Sequence, residues 1–440
     1  MGRKMSLEGY RGRLLELLRS AGASVGDELV VSTASGDVEG TLMPRYQLSD
    51  QLHLVLKLKN GYNVGMALGR ISGVRVKGKG REPSFSPPPR PRATAGLPKV
   101  LILGTGGTIA SRVDYRTGGV KAALSSEELY HLVPELSGIA DISTEATMNI
   151  YSENMTAEHW SALARRAGDA LKEGFDGIVV THGTDTMHYT SAALSFALDS
   201  PPVPVVLVGS QRSSDRPSSD SATNLIGAVT FAARAPVSGV FVVMHAGPGD
   251  DELAIHAGVR VRKLHTSRRD AFRSVNGAPA GTMKDGEMRL DQSLPPRRSG
   301  AAGLSVIPGF DGRASLLKVY PGFHSSLIGD LVRGGCRGIV LEGTGLGHAP
   351  SSSYADIADA AKSGVFVGMS SQCMNGSVRM TVYDTGRDLA KLGVVPLGDM
   401  LSEVALVKLM WLLGQGYDSP KVADMMTKNL RGELRERRPL

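Results

Sequence analysis

VLILGTGGTIA at residues 100–110 and GIVVTHGTDTM at residues 177–187 each set a short apolar run against a turn crowded with glycine and threonine. The runs Val100–Leu103 and Gly177–Val180 do not alternate apolar with polar residues, which predicts strands buried on both faces. Val205–Val208 and Gly239–Val243 repeat the pattern. Between these runs, Ser126–Leu136, Thr156–Lys172, Thr186–Leu198 and Ser221–Ala235 read as helices. Buried strands alternating with helices predict an α/β domain whose mostly parallel sheet is covered on both sides. From about residue 301 a second such unit follows, with strands at Ser315–Val319, Gly338–Leu341 and Val365–Met369 and a strong helix at Ser402–Leu413. The polar, Gly/Pro-rich stretch 276–300 marks the boundary, so the expected α/β domains span 99–290 and 301–428. The charged end, 429–440, is expected to fray.

Upstream the pattern changes. PSFSPPPRPRATAGLP at residues 83–98 is too rich in proline for a helix or a central strand, and predicts a stiff linker. Ahead of it, residues 1–82 open with a leucine-rich amphipathic helix (Leu7, Tyr10, Leu14, Leu15, Leu17, Leu18). Short β-type stretches follow at Leu29–Ser32, Gly40–Met43, Leu52–Lys59, Tyr62–Leu68 and Ile71–Lys77, with Asn60-Gly61 as a hairpin signal. This predicts a small module resembling an SH3-like β-barrel.

The whole chain of 440 residues is long enough for two to four domains and a large core, with an ordinary 41% hydrophobic and 21% charged residues. Its net charge of +7 is confined to the front. Residues 1–98 hold 15 Lys/Arg against 8 Asp/Glu, while residues 99–440 hold 35 of each. Arg70, Arg75, Lys77, Lys79, Arg81, Arg90 and Arg92 face a single acid, Glu82, so this segment suits either a polyanionic partner or a merely solubilising surface. Two cysteines, Cys336 and Cys373, exclude a disulfide scaffold or zinc ribbon and read as buried, inert thiols of a reducing compartment. No apolar run is long enough to cross a membrane, and the opening residues carry no signal-peptide core, so a cytoplasmic protein is expected.

In an open parallel sheet, ligands bind beyond the C-terminal strand ends. The turn 104–110 is neither a dinucleotide fingerprint, because Ile109 takes the third glycine position, nor a P-loop, because no Gly-Lys-Ser/Thr follows. It presents Thr108, which could equally be a capping hydroxyl. The turn 181–186 gathers Thr181, His182, Thr184, Asp185 and Thr186, which again are capping residues or a reactive cluster. His182 and His188 are six apart, off a common helical face, and no His pair has metalloprotease spacing; no metal is expected.

GTGGTIAS followed some 75 residues later by THGTDTM resembles the paired signature of the bacterial-type asparaginase/glutaminase family. The resemblance covers residues 99 to about 415 and includes VGSQRSSDRPSSDSATNL from Val208, VRKLHTSRRDAF from Val261 and EGTGLGH from Glu342. It implies a hydrolase of side-chain carboxamides without a cofactor. Thr108 matches the nucleophile on the family's mobile loop, and Thr184, Asp185 and Lys263 match its second threonine, aspartate and lysine. A neutral threonine hydroxyl is a weak nucleophile and needs a base, a role a lysine can fill when its surroundings favour the neutral amine. Ser152 and Glu153 fall where the family places its contacts to the substrate carboxylate, with Glu153 replacing the usual glutamine. Tyr115 matches a loop tyrosine once a gap is allowed.

The basic module and proline linker are unlike plain asparaginases. This layout is similar to the glutaminase subunits of the archaeal glutamyl-tRNA(Gln) amidotransferase family. That implies glutamine as substrate, ammonia delivered to a partner, the amidotransferase's E subunit, which uses ATP and Mg, contact with tRNA(Gln) through the complex, and a homodimer within a heterotetramer. Two alternatives stand beside it: a free-standing L-asparaginase with an N-terminal extension, and a non-catalytic RNA-binding protein on the same fold.

Overall fold

The computed structural model describes residues 7, 9–43, 45, 50–58, 63–80, 96–107, 109, 111–113, 120–122, 133–212 and 219–435. Most of the proline-rich linker, the Asn60-Gly61 turn and most of the expected helix 126–136 lie outside them.

The N-terminal helix is Gly12–Ser20, whose Leu14 and Leu18 lie one turn apart and are fully buried. It packs on a five-stranded antiparallel sheet of Glu28–Thr33, Gly36–Leu42, His53–Lys57, Asn63–Ala67 and Ile71–Gly78. The first strand lies between the second and the fifth. In His53–Lys57 the alternation holds: Leu54 and Leu56 are fully buried, and with Leu29, Val31 and Leu42 they form a core belonging to this module alone.

The larger unit is an eight-stranded sheet. Asp141–Ala146, Lys99–Gly104, Gly177–Thr181, Pro204–Val208 and Gly239–His245 lie side by side and parallel. Every residue of Gly177–Thr181 and Pro204–Val208 is buried, as their unbroken apolar runs require. Each such valine removed from water contributes about 1.5–3 kcal/mol. Ala157–Glu173, Met187–Ala197 and Ser221–Arg234 cover the sheet. The first begins at a capping box in which Thr156 and His159 satisfy each other's backbone groups, and ends where Gly174 turns left-handed at φ 87°. Three antiparallel strands, Glu252–Ala257, Gly281–Lys284 and Glu287–Leu290, extend one edge. The last two occupy part of 276–300, so that stretch is an edge hairpin before it is a connection.

The C-terminal unit is a parallel sheet of Ala314–Lys318, Gly338–Gly343, Phe366–Ser371 and Val395–Pro396. Helix Ser402–Gly414 is buried on nearly every side and lies between this sheet and helix Met187–Ala197 of the larger unit. Two expectations need correction. The charged tail does not fray through residue 435. Glu433 is fully buried and paired with fully buried Lys408 at 2.6 Å, Arg431 pairs with Asp199 at 3.2 Å, and the Arg435 N–H donates to Asp399 at 2.9 Å. Nor are the thiols buried: Cys336 is half-buried and Cys373 exposed. Among the described residues no helix is long and apolar enough to cross a membrane.

Candidate functional site

Three neighbouring parallel strands, ending at Gly104, Thr181 and Val208, bring their following turns to one edge of the sheet. There the two sequence signatures meet. The Thr105 N–H and hydroxyl both donate to the Thr181 carbonyl, at 3.1 and 3.0 Å. Gly107, at φ +85°, lies directly on the second turn; a Cβ there would stand 2.8 Å from the Gly183 nitrogen. Only glycine tolerates both the left-handed backbone and the contact. On the far side of Thr108, the Ile109 carbonyl accepts from the Ser221 hydroxyl at 2.9 Å. Thr108 and Tyr115 themselves lie outside the described residues, as does the segment 213–218 after Arg212.

Lys263 ends the short strand Val261–Lys263, which pairs with Phe272–Ser274 in a hairpin. Its side chain, only 9% exposed, spans 78 and 79 residues of sequence to reach the second turn. Lys263 Nζ stands 2.9 Å from Thr184 Oγ1 and 2.7 Å from Asp185 Oδ1. Asp185 remains 69% exposed, so it is a carboxylate open to an incoming ligand. Behind Thr184, Gly209 leaves room for its methyl group; a Cβ at Gly209 would lie 2.7 Å from Thr184 Cγ2.

Ser152 and Glu153 part company. Ser152 is buried against Gly183, and its carbonyl accepts from the Thr186 hydroxyl at 2.6 Å. Glu153 points to solvent.

The turn is held from beneath by His182 together with Trp160 and Thr190, two polar groups that sequence reading left out. Trp160 Nε1–H donates to Thr190 Oγ1 at 3.0 Å, and Thr190 in turn meets His182 Nε2 at 2.9 Å. His182 Nδ1 lies 2.7 Å from the Gly183 carbonyl, an acceptor, so that nitrogen carries a proton. Burial drives the His182 pKa down to about 4, against a smaller upward pull from that carbonyl. His188, in the first turn of the next helix, falls to about 3, first through burial and then through the charges of Arg262 and Lys263. The adjacent strand end is organised by fully buried Asp220, which accepts from the N–H groups of Gln211 and Arg212 at 3.0 and 2.9 Å and from Asn224 Nδ2 at 3.0 Å. Their signal was SDSATNL itself, an acid before an apolar helix, which reads as a helix cap and gives no hint that the loop behind it would be gathered in.

The arrangement can activate a hydroxyl: one amine bridges a threonine hydroxyl and a carboxylate at the glycine turns. Family models agree with this chemistry. "Asparaginase, N-terminal" matches residues 99–296, "Glutaminase/Asparaginase C-terminal domain" residues 313–426, and "GatD N-terminal domain" residues 23–76. The chain belongs to the asparaginase/glutaminase family, in the branch that carries the GatD N-terminal domain. Its relatives include the D subunit of glutamyl-tRNA(Gln) amidotransferase from Metallosphaera sedula, 49% identical over 99% of this chain and 98% of the relative. The protein of the same name from Methanothermobacter thermautotrophicus is 47% identical over 97% and 98%. Among solved structures, the thermostable L-asparaginase from Thermococcus kodakarensis superposes with a TM-score of 0.68 at 36% identity, covering 77% of this chain and all of that one. The asparaginase structures thus correspond to the α/β part, while the amidotransferase relatives run the full length.

Proposed function

We propose that this chain is the glutaminase subunit of a tRNA-dependent amidotransferase: it hydrolyses glutamine through a threonine acyl-enzyme and supplies ammonia for converting Glu-tRNA(Gln) to Gln-tRNA(Gln). The observation that carries the reading is the contact of Lys263 Nζ with both Thr184 Oγ1 and Asp185 Oδ1. The full-length likeness to amidotransferase D subunits favours this role over that of a free-standing asparaginase.

In this mechanism a threonine hydroxyl, on Thr108 or Thr184, attacks the side-chain carboxamide carbon while Lys263 takes its proton. Asp185 orients the lysine and offers its exposed carboxylate to the substrate's α-ammonium. Backbone N–H groups of the glycine turns receive the oxyanion. As the intermediate collapses the C–N bond breaks, the nitrogen receives a proton, and ammonia leaves. Water then hydrolyses the threonine ester, releasing glutamate and restoring the hydroxyl. Ser152 serves the substrate-binding side of the site, a role the family likeness also gives to Tyr115, and Glu153, turned to solvent, meets at most the substrate's outer end. The ammonia passes to a second polypeptide, the E subunit of the amidotransferase, where ATP and Mg serve the activation of tRNA-borne glutamate; the chain itself needs no cofactor. A homodimer within a heterotetramer completes the assembly.

The test is ammonia release from glutamine and from asparagine, with and without the E subunit and Glu-tRNA(Gln). Glutamine hydrolysis that requires the partner and charged tRNA supports the reading. Vigorous asparagine hydrolysis by the chain alone overturns it in favour of an asparaginase, and no ammonia under any condition leaves a non-catalytic RNA-binding role.

A further inference from the structure

The geometry points to Arg262 as a positioning residue for Lys263, held in place by Glu403 across the boundary between the two α/β units. The inference rests on the reading of Lys263 as the base. The strand that carries Lys263 is three residues long and pairs in a two-stranded ribbon with Phe272–Ser274. Such a ribbon has little stability of its own, so the lysine is placed by whatever the ribbon packs on. Fully buried Val261 and Phe272 supply an apolar anchor. The polar anchor lies on the other face. Successive side chains along a strand point to opposite sides, so Arg262 projects away from the site while Lys263 projects into it.

Arg262 Nη2 meets Glu403 Oε1 at 2.7 Å. Glu403 sits in the first turn of helix Ser402–Gly414, and its side chain is 5% exposed. One residue before the strand, Arg260 makes a matching contact, Nη1 to Asp399 Oδ2 at 2.8 Å, with both side chains nearly inaccessible. Arg260 Nε also donates to the Gly432 carbonyl at 2.7 Å. The back of the lysine strand is therefore fastened at two points to the C-terminal unit. The Glu403–Arg262 contact is the one next to the lysine. Glu403 Oε2 is buried with no hydrogen-bond partner among the described residues. Burial raises the Glu403 pKa, and the Arg262 charge opposes that rise. Loss of either member leaves the other without its closest opposite charge, and the ribbon is free to shift. A catalytic group displaced by about 1 Å can cost ~100-fold in rate.

The experiment measures ammonia release from glutamine by the full chain in its amidotransferase complex, for Glu403→Gln, Arg262→Gln, the double variant and Lys263→Met. Each single variant is expected to lower kcat about ten- to hundredfold with KM within about twofold, and the double variant to fall no further than the worse single. Arg262→Lys, which keeps the charge and loses the planar fork, covers the case in which the glutamine variants do not fold; it is expected to lower kcat severalfold at unchanged KM. Wild-type kcat in the single variants or in Arg262→Lys, or losses that multiply in the double variant, overturn the inference. An active Lys263→Met instead overturns the role of Lys263, whereas an inactive Lys263→Met beside fully active Glu403→Gln refutes the positioning role alone.

Discussion

Replacing Lys408 by methionine should free the C-terminal strap. Lys408 Nζ lies 2.6 Å from Glu433 Oε1, both side chains are wholly inaccessible, and Nζ also donates to the carbonyls of Lys428 at 2.5 Å and Met426 at 3.4 Å. Glu433 in turn accepts from the N–H groups of Leu430, at 3.0 and 3.1 Å, and of Arg431 at 2.6 Å. Methionine fills the volume of the lysine stem but leaves a carboxylate buried with no cation. Removing one partner of such a pair costs about 3–5 kcal/mol. At 1.4 kcal/mol per factor of ten, the strap should open from about a hundred to a few thousand times more often. Native-state hydrogen exchange reads this directly, as an equal loss of protection at the amides of Leu430 and Arg431, while amides of Gly177–Thr181 in the central strand keep theirs. Adding Glu433→Gln to Lys408→Met should recover most of the loss, because the amide keeps an acceptor for the two N–H groups and carries no charge. Protection within fivefold of wild type in Lys408→Met would show that the pair does not hold the strap. So would a double variant more labile than the single one.

Other consequences are quicker to state. Lys263→Met should lower kcat/KM for glutamine by about 10²–10⁴, the usual contribution of a general base, with an unchanged melting curve; a rate within tenfold of wild type removes Lys263 from proton transfer. Gly107→Ala places a Cβ 2.8 Å from the Gly183 nitrogen at φ +85°, at a backbone cost of about 1–2 kcal/mol before any clash, and should cripple activity more than stability, read by comparing turnover with urea midpoint. His182 titrates near 4 when folded and near 6.5 when unfolded, so between those values only the unfolded chain takes the proton and stability falls as the pH drops. At pH 5 that amounts to about 2 kcal/mol relative to pH 7, which His182→Gln should abolish in urea titrations at the two pH values; an unchanged pH dependence refutes it. Deleting residues 1–82 should leave the melting transition of the α/β part intact, because the front module carries its own core; precipitation of the truncated chain would show the two are interdependent.

How far the sequence could be read depended on whether a signal was local. Gly177–Thr181 and Pro204–Val208 announced themselves because a strand buried on both faces leaves no room for polar residues. Asp141–Ala146, reading DISTEA, did not, since it lies at the sheet edge and only Ile142 of its six residues is buried. The hairpin Gly281–Lys284 and Glu287–Leu290 at the opposite end of the sheet was hidden because it too buries little, Met283 alone among its strand residues. The short helices Ser326–Arg333, Tyr354–Lys362 and Asp384–Lys391 each show little more than two turns of period. The tail misled because its charges look like solvated ones: Lys408 and Glu433 are buried only as a pair, and nothing in either neighbourhood of the sequence names the other.

The front module shows the same limit in its charge. Lys77 pairs with Glu39 at 2.5 Å and Lys79 with Asp27 at 3.0 Å, both across the sheet, so part of the apparent excess is neutralised at short range. Arg70 and Arg75 stay exposed. The site was legible in a different way. Composition and period could place Thr184 and Asp185 at a strand end, where caps and catalytic groups look alike, but could not bring in Lys263 from 78 residues away. Family likeness selected that lysine, and the hairpin Val261–Ser274 delivers it because Val261 and Phe272 are committed to the core. What makes the constellation specific is therefore the apolar pairing behind it: with Val261 and Phe272 exposed, a Lys at 263 would be one more surface cation.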